Sequence, residues 1–529
     1  MPFLFPIYTV LLSVFFVLAY VAIRVYESRI SYPSQIVWLN KRNNDIFFPY
    51  LRARFRTLRN FRSTLMHAYT QYSKNGEPCI VGTLDSTSIV LPPNCTEWIA
   101  RQAEDILSAY EPHLEGLQSD YTFPDPCILQ NPIQSMTIRQ DLNRQMALKI
   151  PDMMDEIVTS FEEVWGSNTE DWREVEVMSS MQTIVARTSN RVFVGKSLCS
   201  NPALLRTATQ FSRDVVITSY LLRLFPALIR PVVATIITIP NRRNINAFIN
   251  VLRPEIVRRK AATMNCSYIE DSGSTEQNDY LQWTLRAAIS SKSDKETSLE
   301  VIAGRLLAVN FAAMHTSTLA ISNILLDLAS AAPQYELIAT LREELVPILA
   351  SENGVWSKKG LAQLPRMDSL LRESSRLNFF QGIGIVRKVK VPGGVIAPNG
   401  THCPYGSLIA APTLGIHNDV VFYHDPEKFD PYRFSKGSPD MDGQPITDQT
   451  DVKAFVTTDA TFHAFGHGKH ACVGRFFASA IFKLMLSHLL LNYDVEYQPI
   501  RPETKFLGPV QFPPANATIR IKRRKFASM

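Results

Sequence analysis

At 529 residues the chain exceeds the usual size of one domain, and 46% apolar against 20% charged residues suits a protein that buries a large core. Its formal charge of +6, from 55 basic and 49 acidic side chains, is too small to argue for nucleic acid, and no long basic run interleaved with aromatics adds to it. Seven scattered cysteines, odd in number and never spaced C-x-x-C, argue against a disulfide scaffold or a paired-cysteine zinc module and fit a reduced, cytosolic catalytic body.

Residues 1–23 carry no charged side chain, and residues 3–23 are about as long as the hydrocarbon core of a bilayer is thick. No basic start and small-residue cleavage site mark a removable signal, so we expect one uncleaved transmembrane helix. Arginines and lysines crowd the next segment, including Arg24, Arg29, Lys41 and Arg42, which places that side in the cytosol. The expected setting is a single-pass protein of the endoplasmic reticulum membrane with its catalytic part facing the cytosol. On that topology the four Asn-x-Ser/Thr triplets, starting at Asn94, Asn265, Asn399 and Asn516, are chance occurrences. Residues 24–49 read as a basic hinge, and 50–529 as one domain without internal repeats. Helical spacing of apolar residues is expected over about 97–117, 135–165, 173–193, 203–223, 241–264, 279–292, 298–331, 334–350, 366–378 and 473–491. Short strand-like runs lie in 383–391, 400–411, 493–498 and 516–522, and the polar stretch 267–278 reads as a surface loop. The fold expected from this pattern is mainly α with small β-sheets.

The most informative stretch is FHAFGHGKHACVGRFFA, residues 462–478. Phe465, Gly468, His470, Cys472 and Gly474 occupy the pattern F-x-x-G-x-[R/H]-x-C-x-G. Gly466 and Gly468 permit a tight loop that can approach a flat cofactor closely. Cys472 ends that loop just before an apolar helical run, where oriented amide dipoles favour the thiolate that binds iron. A zinc site from His463, His467, His470 and Cys472 has spacings of 4, 3 and 2, unlike common zinc modules.

On these residues the chain resembles the cytochrome P450 family, and the resemblance spans about residues 50–525. It implies the P450 fold, haem b, and Cys472 as the axial iron ligand, with Phe465 near the sulfur. His470 stands where arginine more often meets a haem propionate; histidine can still donate a hydrogen bond, with a pH-dependent charge. Glu373 and Arg376 form the family's E-x-x-R on one helical face, and Arg433 in FDPYRF completes its buried charge network. The stretch AVNFAAMHTST, residues 308–318, resembles the distal helix. Small Ala312 and Ala313 would leave room for dioxygen and substrate, and Thr316 would hold a water for proton delivery, assisted by Ser317. His315 replaces the usual acid there, either as a proton carrier or as a structural residue. Arg387 falls where the family places a propionate partner, and Arg139 in TIRQDLNRQM, with Arg144 behind it, is the candidate substitute for the arginine of the W-x-x-x-R that the family carries in that helix.

Residues 184–202, 278–285 and the cysteine segment further resemble fungal ent-kaurene-oxidase-like and indole-diterpene monooxygenases. That resemblance implies an apolar, terpenoid-type substrate in secondary metabolism. No G-x-G-x-x-G or flavin domain is found, so electrons from NADPH are expected through a separate cytochrome P450 reductase. Lys469, Arg475 and Lys483 are candidates to meet it. Competing readings are a desaturation or rearrangement on the same fold, and a membrane-anchored interaction protein without activity.

Overall fold

The computed structural model describes residues 32–84, 86–266, 277–435 and 452–525. The expected anchor at 1–23 and most of the polar stretch 267–278 lie outside the described residues. Among the described residues, no helix is long and apolar enough to cross a membrane. The fold is mainly helical with small sheets, and its contacts sort it into two compact units.

The first unit comprises the described parts of Met1–Gln118, Ser219–Ile237 and Ile383–Gly415. Its centre is a six-stranded sheet of β1 (Val37–Trp38), β2 (Cys79–Gly82), β3 (Thr87–Val90), β4 (Leu107–Ser108), β5 (Gly384–Val389) and β6 (Leu408–Ala411). Their spatial order is β1-β2-β3-β6-β5-β4. Within the expected hinge, Val37–Trp38 is therefore an edge strand, paired parallel to β2. The helix expected over 97–117 is split into Thr96–Arg101 and Tyr110–Leu117. Between them, Leu107 and Ser108 are buried and pair antiparallel with Val389 and Lys388. The Glu104 carboxylate accepts from the amides of Ala109 and Tyr110 at 3.0 and 3.2 Å, so the second helix starts afresh there. Pairing along a buried sheet edge outweighs helical spacing here.

The second unit comprises the described parts of Ser119–Thr218, Thr238–Gly382 and Ile416–Met529. It holds the long helices α1 (Asn143–Trp165), α2 (Val177–Phe193), α3 (Leu299–Ser330), α4 (Pro365–Leu377) and α5 (Arg475–Asn492). α3 lies at the centre: α2, α4 and α5 all pack on it, and α1 packs on α2 and α5. α2 starts at Val177 because Arg173–Glu176 is a strand beside Thr518–Arg523, with only Val175 of its four residues buried. The helix expected over 135–165 contains a π-helical turn at Ile138–Leu142 before α1 begins.

His488 on α5 is buried against the rings of Phe161 and Tyr493, with centroids 5.0 and 6.0 Å away. Burial, helped by the Arg523 charge, pushes its imidazole down to about 4. The folded chain thus holds His488 neutral where the unfolded chain binds a proton, below about pH 6.5. Stability should fall as pH drops from about 6.5 towards 4, and His488→Leu should fall less over that window. Urea denaturation at several pH values reads this out, and parallel curves for both proteins would contradict it.

Candidate active site

The cysteine loop is built by backbone hydrogen bonds around two glycines with positive φ, Gly466 at 67° and Gly468 at 75°. The Gly466 amide donates to His463 O at 2.9 Å, and the Ala471 amide to Gly468 O at 3.1 Å. The Cys472 amide donates to Phe465 O at 2.8 Å, which closes the loop at the cysteine. α5 then begins at Arg475 behind Gly474. Of the six described cysteines, all free thiols, only Cys472 is exposed; Cys79, Cys95, Cys199 and Cys403 are buried. A Cβ placed on Gly474 would meet only the Cys472 sulfur, at an ordinary 3.9 Å. Helix dipoles by themselves favour the thiolate at this position. In the structure, desolvation by the surrounding protein pushes it up, and the amides of Gly474 and Arg475 with the Arg475 charge offset this only in part.

Phe465 packs on Phe455 with ring centroids 4.8 Å apart, and Phe455 leads to Phe482 of α5. The loop is also tied to α4 through a residue that the sequence reading missed. The His463 amide donates to His417 Nε2 at 3.0 Å. His417 Nε2 is therefore the acceptor nitrogen, and Nδ1–H donates to Arg376 O at 3.0 Å. Burial holds His417 well below its ordinary pKa, in keeping with the neutral ring that this relay needs. No spacing rule joins positions 376, 417 and 463, so only the fold reveals the link.

Glu373, Arg376 and Arg433 come together in the interior, with the glutamate and Arg376 fully buried. Arg376 donates both Nε and Nη2 to the Glu373 carboxylate, at 2.7 and 2.8 Å. Arg433 Nε adds a third bond at 3.0 Å, and the Asp430 amide a fourth at 3.1 Å. Spare guanidinium donors bind the carbonyls of His417, Pro426, His424 and Lys428. The segment between α4 and the cysteine loop is thus hung from one carboxylate. Arg372, one turn earlier, was also missed: it is buried over the Phe462 ring at 3.8 Å and bonds Asp459 at 3.1 Å.

α3 is buried at every residue from Val301 to Asn310 and from Ile321 to Ala329. Between these stretches one face opens at Ala312 and Thr316, both exposed and one turn apart, with Ala313 and Ala320 half-buried beside them. Thr316 donates its hydroxyl to Ala312 O at 2.7 Å, which leaves its oxygen able to accept. Ser317 is buried. His315 is half-buried, its Nε2 has no hydrogen-bond partner among the described residues, and burial lowers its pKa.

The expected cations separate. Arg139 sits in the π-helical turn, and its Nη2 donates to Lys469 O of the cysteine loop at 3.3 Å. His470 is exposed on the same loop. Arg387, in the first unit, is a buried guanidinium that donates to Val386 O at 2.9 Å. No carboxylate among the described residues lies within ion-pair distance of it, and burial pushes it down to about 10. Lys483 cannot meet a partner as expected: it is buried and bonds Asp368 at 2.8 Å and Leu361 O at 2.7 Å. Helical spacing could not reveal that its face of α5 is covered.

A cysteine closing a glycine loop ahead of a helix, and a helix whose most exposed positions are Ala312 and Thr316, suit a flat, iron-bearing ligand. The residues present in the second unit thus fit haem. Fold and site suit a haem-binding enzyme. The Cytochrome P450 family profile matches residues 125–521, and the chain belongs to that family. It is 32% identical to cytochrome P450 monooxygenase gloP of Glarea lozoyensis, over 90% of this chain and 89% of that protein. It is 30% identical to cytochrome P450 monooxygenase tenB of Beauveria bassiana, over 86% of both chains. Identity to cytochrome P450 monooxygenase 110 of Postia placenta is 33%, over 90% and 91% of the two chains. The fold matches a retinoic acid-bound cyanobacterial CYP120A1 with a TM-score of 0.59 at 19% identity, over 86% of this chain and 93% of that one. The chain is a cytochrome P450 monooxygenase that uses haem, with electrons from a redox partner.

Proposed function

We propose that this monooxygenase hydroxylates, or oxidises in several steps, an apolar terpenoid-type substrate in fungal secondary metabolism. The observation that carries the reading is the open face of α3. Its exposed and half-buried residues, Phe311, Ala312, Ala313, His315, Thr316 and Ala320, are apolar apart from one hydroxyl and one imidazole and include no carboxylate, lysine or arginine. Phe311 flanks it, edge-on to Phe123 at 6.4 Å. Such a wall suits an apolar skeleton better than a charged one.

Haem supplies dioxygen activation and insertion of one oxygen atom into a C–H bond. In this reading Cys472 ligates the iron, Phe465 and Gly474 shape the sulfur's surroundings, and Gly468 keeps the loop tight. Arg139 and His470 are the propionate partners. Thr316 accepts from and orients a water that carries protons inward, with Ser317 and the neutral His315 beside it. Glu373, Arg376 and Arg433 position the cysteine loop rather than touch substrate. Residues 1–23 anchor the chain in the endoplasmic reticulum membrane, and the catalytic part that follows, fed by an NADPH-dependent reductase, already includes the strand Val37–Trp38.

Microsomes co-expressing the chain and a reductase should convert members of a terpenoid panel. Conversion confined to non-terpenoid compounds would sink the substrate class. Thr316→Ala should keep the haem spectrum yet raise the NADPH consumed per product, because a positioned proton donor is lost. Unchanged coupling would remove the proton-delivery role.

A further inference from the structure

The buried stretch Val301–Asn310 of α3 contains a single charged side chain, Arg305, which is 1% exposed. Its Nε and Nη2 donate to Glu296 Oε2 at 3.1 and 2.7 Å. Its Nη1 donates to Gln134 Oε1 at 2.6 Å and to Asn131 O at 2.8 Å, with Ile128 O further off at 3.4 Å. Glu296 closes the circuit by accepting from Asn131 Nδ2 at 3.1 Å. Every acceptor except Glu296 belongs to one stretch of chain, built from the short helical turns Cys127–Gln130 and Ile133–Thr137.

Helical turns of four or five residues do not hold themselves together in water, so this stretch takes its order from what it packs on. α3 approaches it closely: a Cβ on Gly304, beside Arg305, would collide with Ile128 Cδ1 and crowd Pro124. Lys295 adds an ion pair to Asp125 at 3.0 Å. The stretch then runs without interruption into the π-helical turn whose Arg139 reaches Lys469 O in the cysteine loop.

We propose that Arg305 is a positioning residue. It clamps residues 124–137 to the distal helix, so that the turn carrying Arg139 stays against the cysteine loop and haem is retained. The guanidinium suits this task because its planar fork serves a carboxylate on one edge and amide and carbonyl oxygens on the other. A lysine can keep the Glu296 pair but cannot reach both edges at once.

The test compares haem-loaded parent, Arg305→Lys, Gln134→Leu and, as a control, Arg187→Lys. Arg187 is similarly buried and joins α2 to α1 through Glu156 and Glu163, so its loss should lower stability without singling out this stretch. In Arg305→Lys, amide exchange across 124–142 should accelerate about tenfold relative to α2 and α5, the effect of losing one charge-assisted hydrogen bond. Haem transfer to apomyoglobin should speed up several-fold, and Arg187→Lys should do neither. Gln134→Leu should loosen the same amides, which keeps the test open if Arg305→Lys does not accumulate. Exchange that rises uniformly, or not at all, in every folded variant overturns the clamp. Local loosening with parental haem transfer overturns its role in haem retention. The transfer measurement rests on the proposed propionate contact of Arg139, whereas the exchange measurement does not, so the two failures are distinguishable.

Discussion

Cys472→Ser should abolish the red-shifted Soret band of the reduced, carbon monoxide-bound protein, and with it all turnover. A serine hydroxyl is not a thiolate, and the band reports sulfur on the iron. The remaining cysteines offer no substitute: four of the other five described are buried, and burial pushes Cys79, Cys199 and Cys403 up to about 12. The substitution is small and falls at an exposed position, so the fold should persist and the readout is clean. A thiolate-type band in folded, haem-replete Cys472→Ser protein would place the ligand elsewhere.

The second large effect is expected at Glu373. Its carboxylate accepts from Arg376, Arg433 and the Asp430 amide with no exposure to solvent. Glu373→Gln keeps the shape but leaves two buried guanidiniums facing a neutral group. Removing one partner from a buried ion pair costs about 3–5 kcal/mol, because the remaining charge is stranded. Both arginines also hold carbonyls of the segment leading to the cysteine loop. The loss should therefore appear as little or no haem-bound protein at 37 °C and a lowered urea midpoint at 20 °C. A loss below about 1 kcal/mol, the size of an exposed pair, would mean that the network does not carry the loop.

Legibility followed the range of the interactions. The cysteine loop could be read because its parts lie within ten residues and each has a local reason: glycines for positive φ, cysteine before a helix. Glu373 and Arg376 were readable because i and i+3 share a helical face. Arg305 and Lys483 left a weaker signal, a lone cation inside an apolar helical run, whose meaning depends on what covers that face. His417 left none, because its partners at 376 and 463 are more than forty residues away in either direction. The strand at Leu107–Ser108 was mistaken for helix, since its partner Gly384–Val389 lies far along the chain.

The sequence by itself determined the class of chemistry: one cysteine in a glycine loop, an E-x-x-R pair, a small-residue helix with Thr316, and a mainly helical body. These are local patterns, set by backbone conformation and helical period. Only the tertiary structure decided the balance of burial and charge at long range. It made the Cys472 thiol rise despite the helix behind it, enclosed Lys483 with Asp368, and left Arg387 with no carboxylate of the described residues in ion-pair distance, Glu104 acting on it only from further off. It also hung residues 124–137 from Arg305. Each of these depends on how much water the folded chain excludes and which distant group takes water's place, and neither is written in any one stretch of residues.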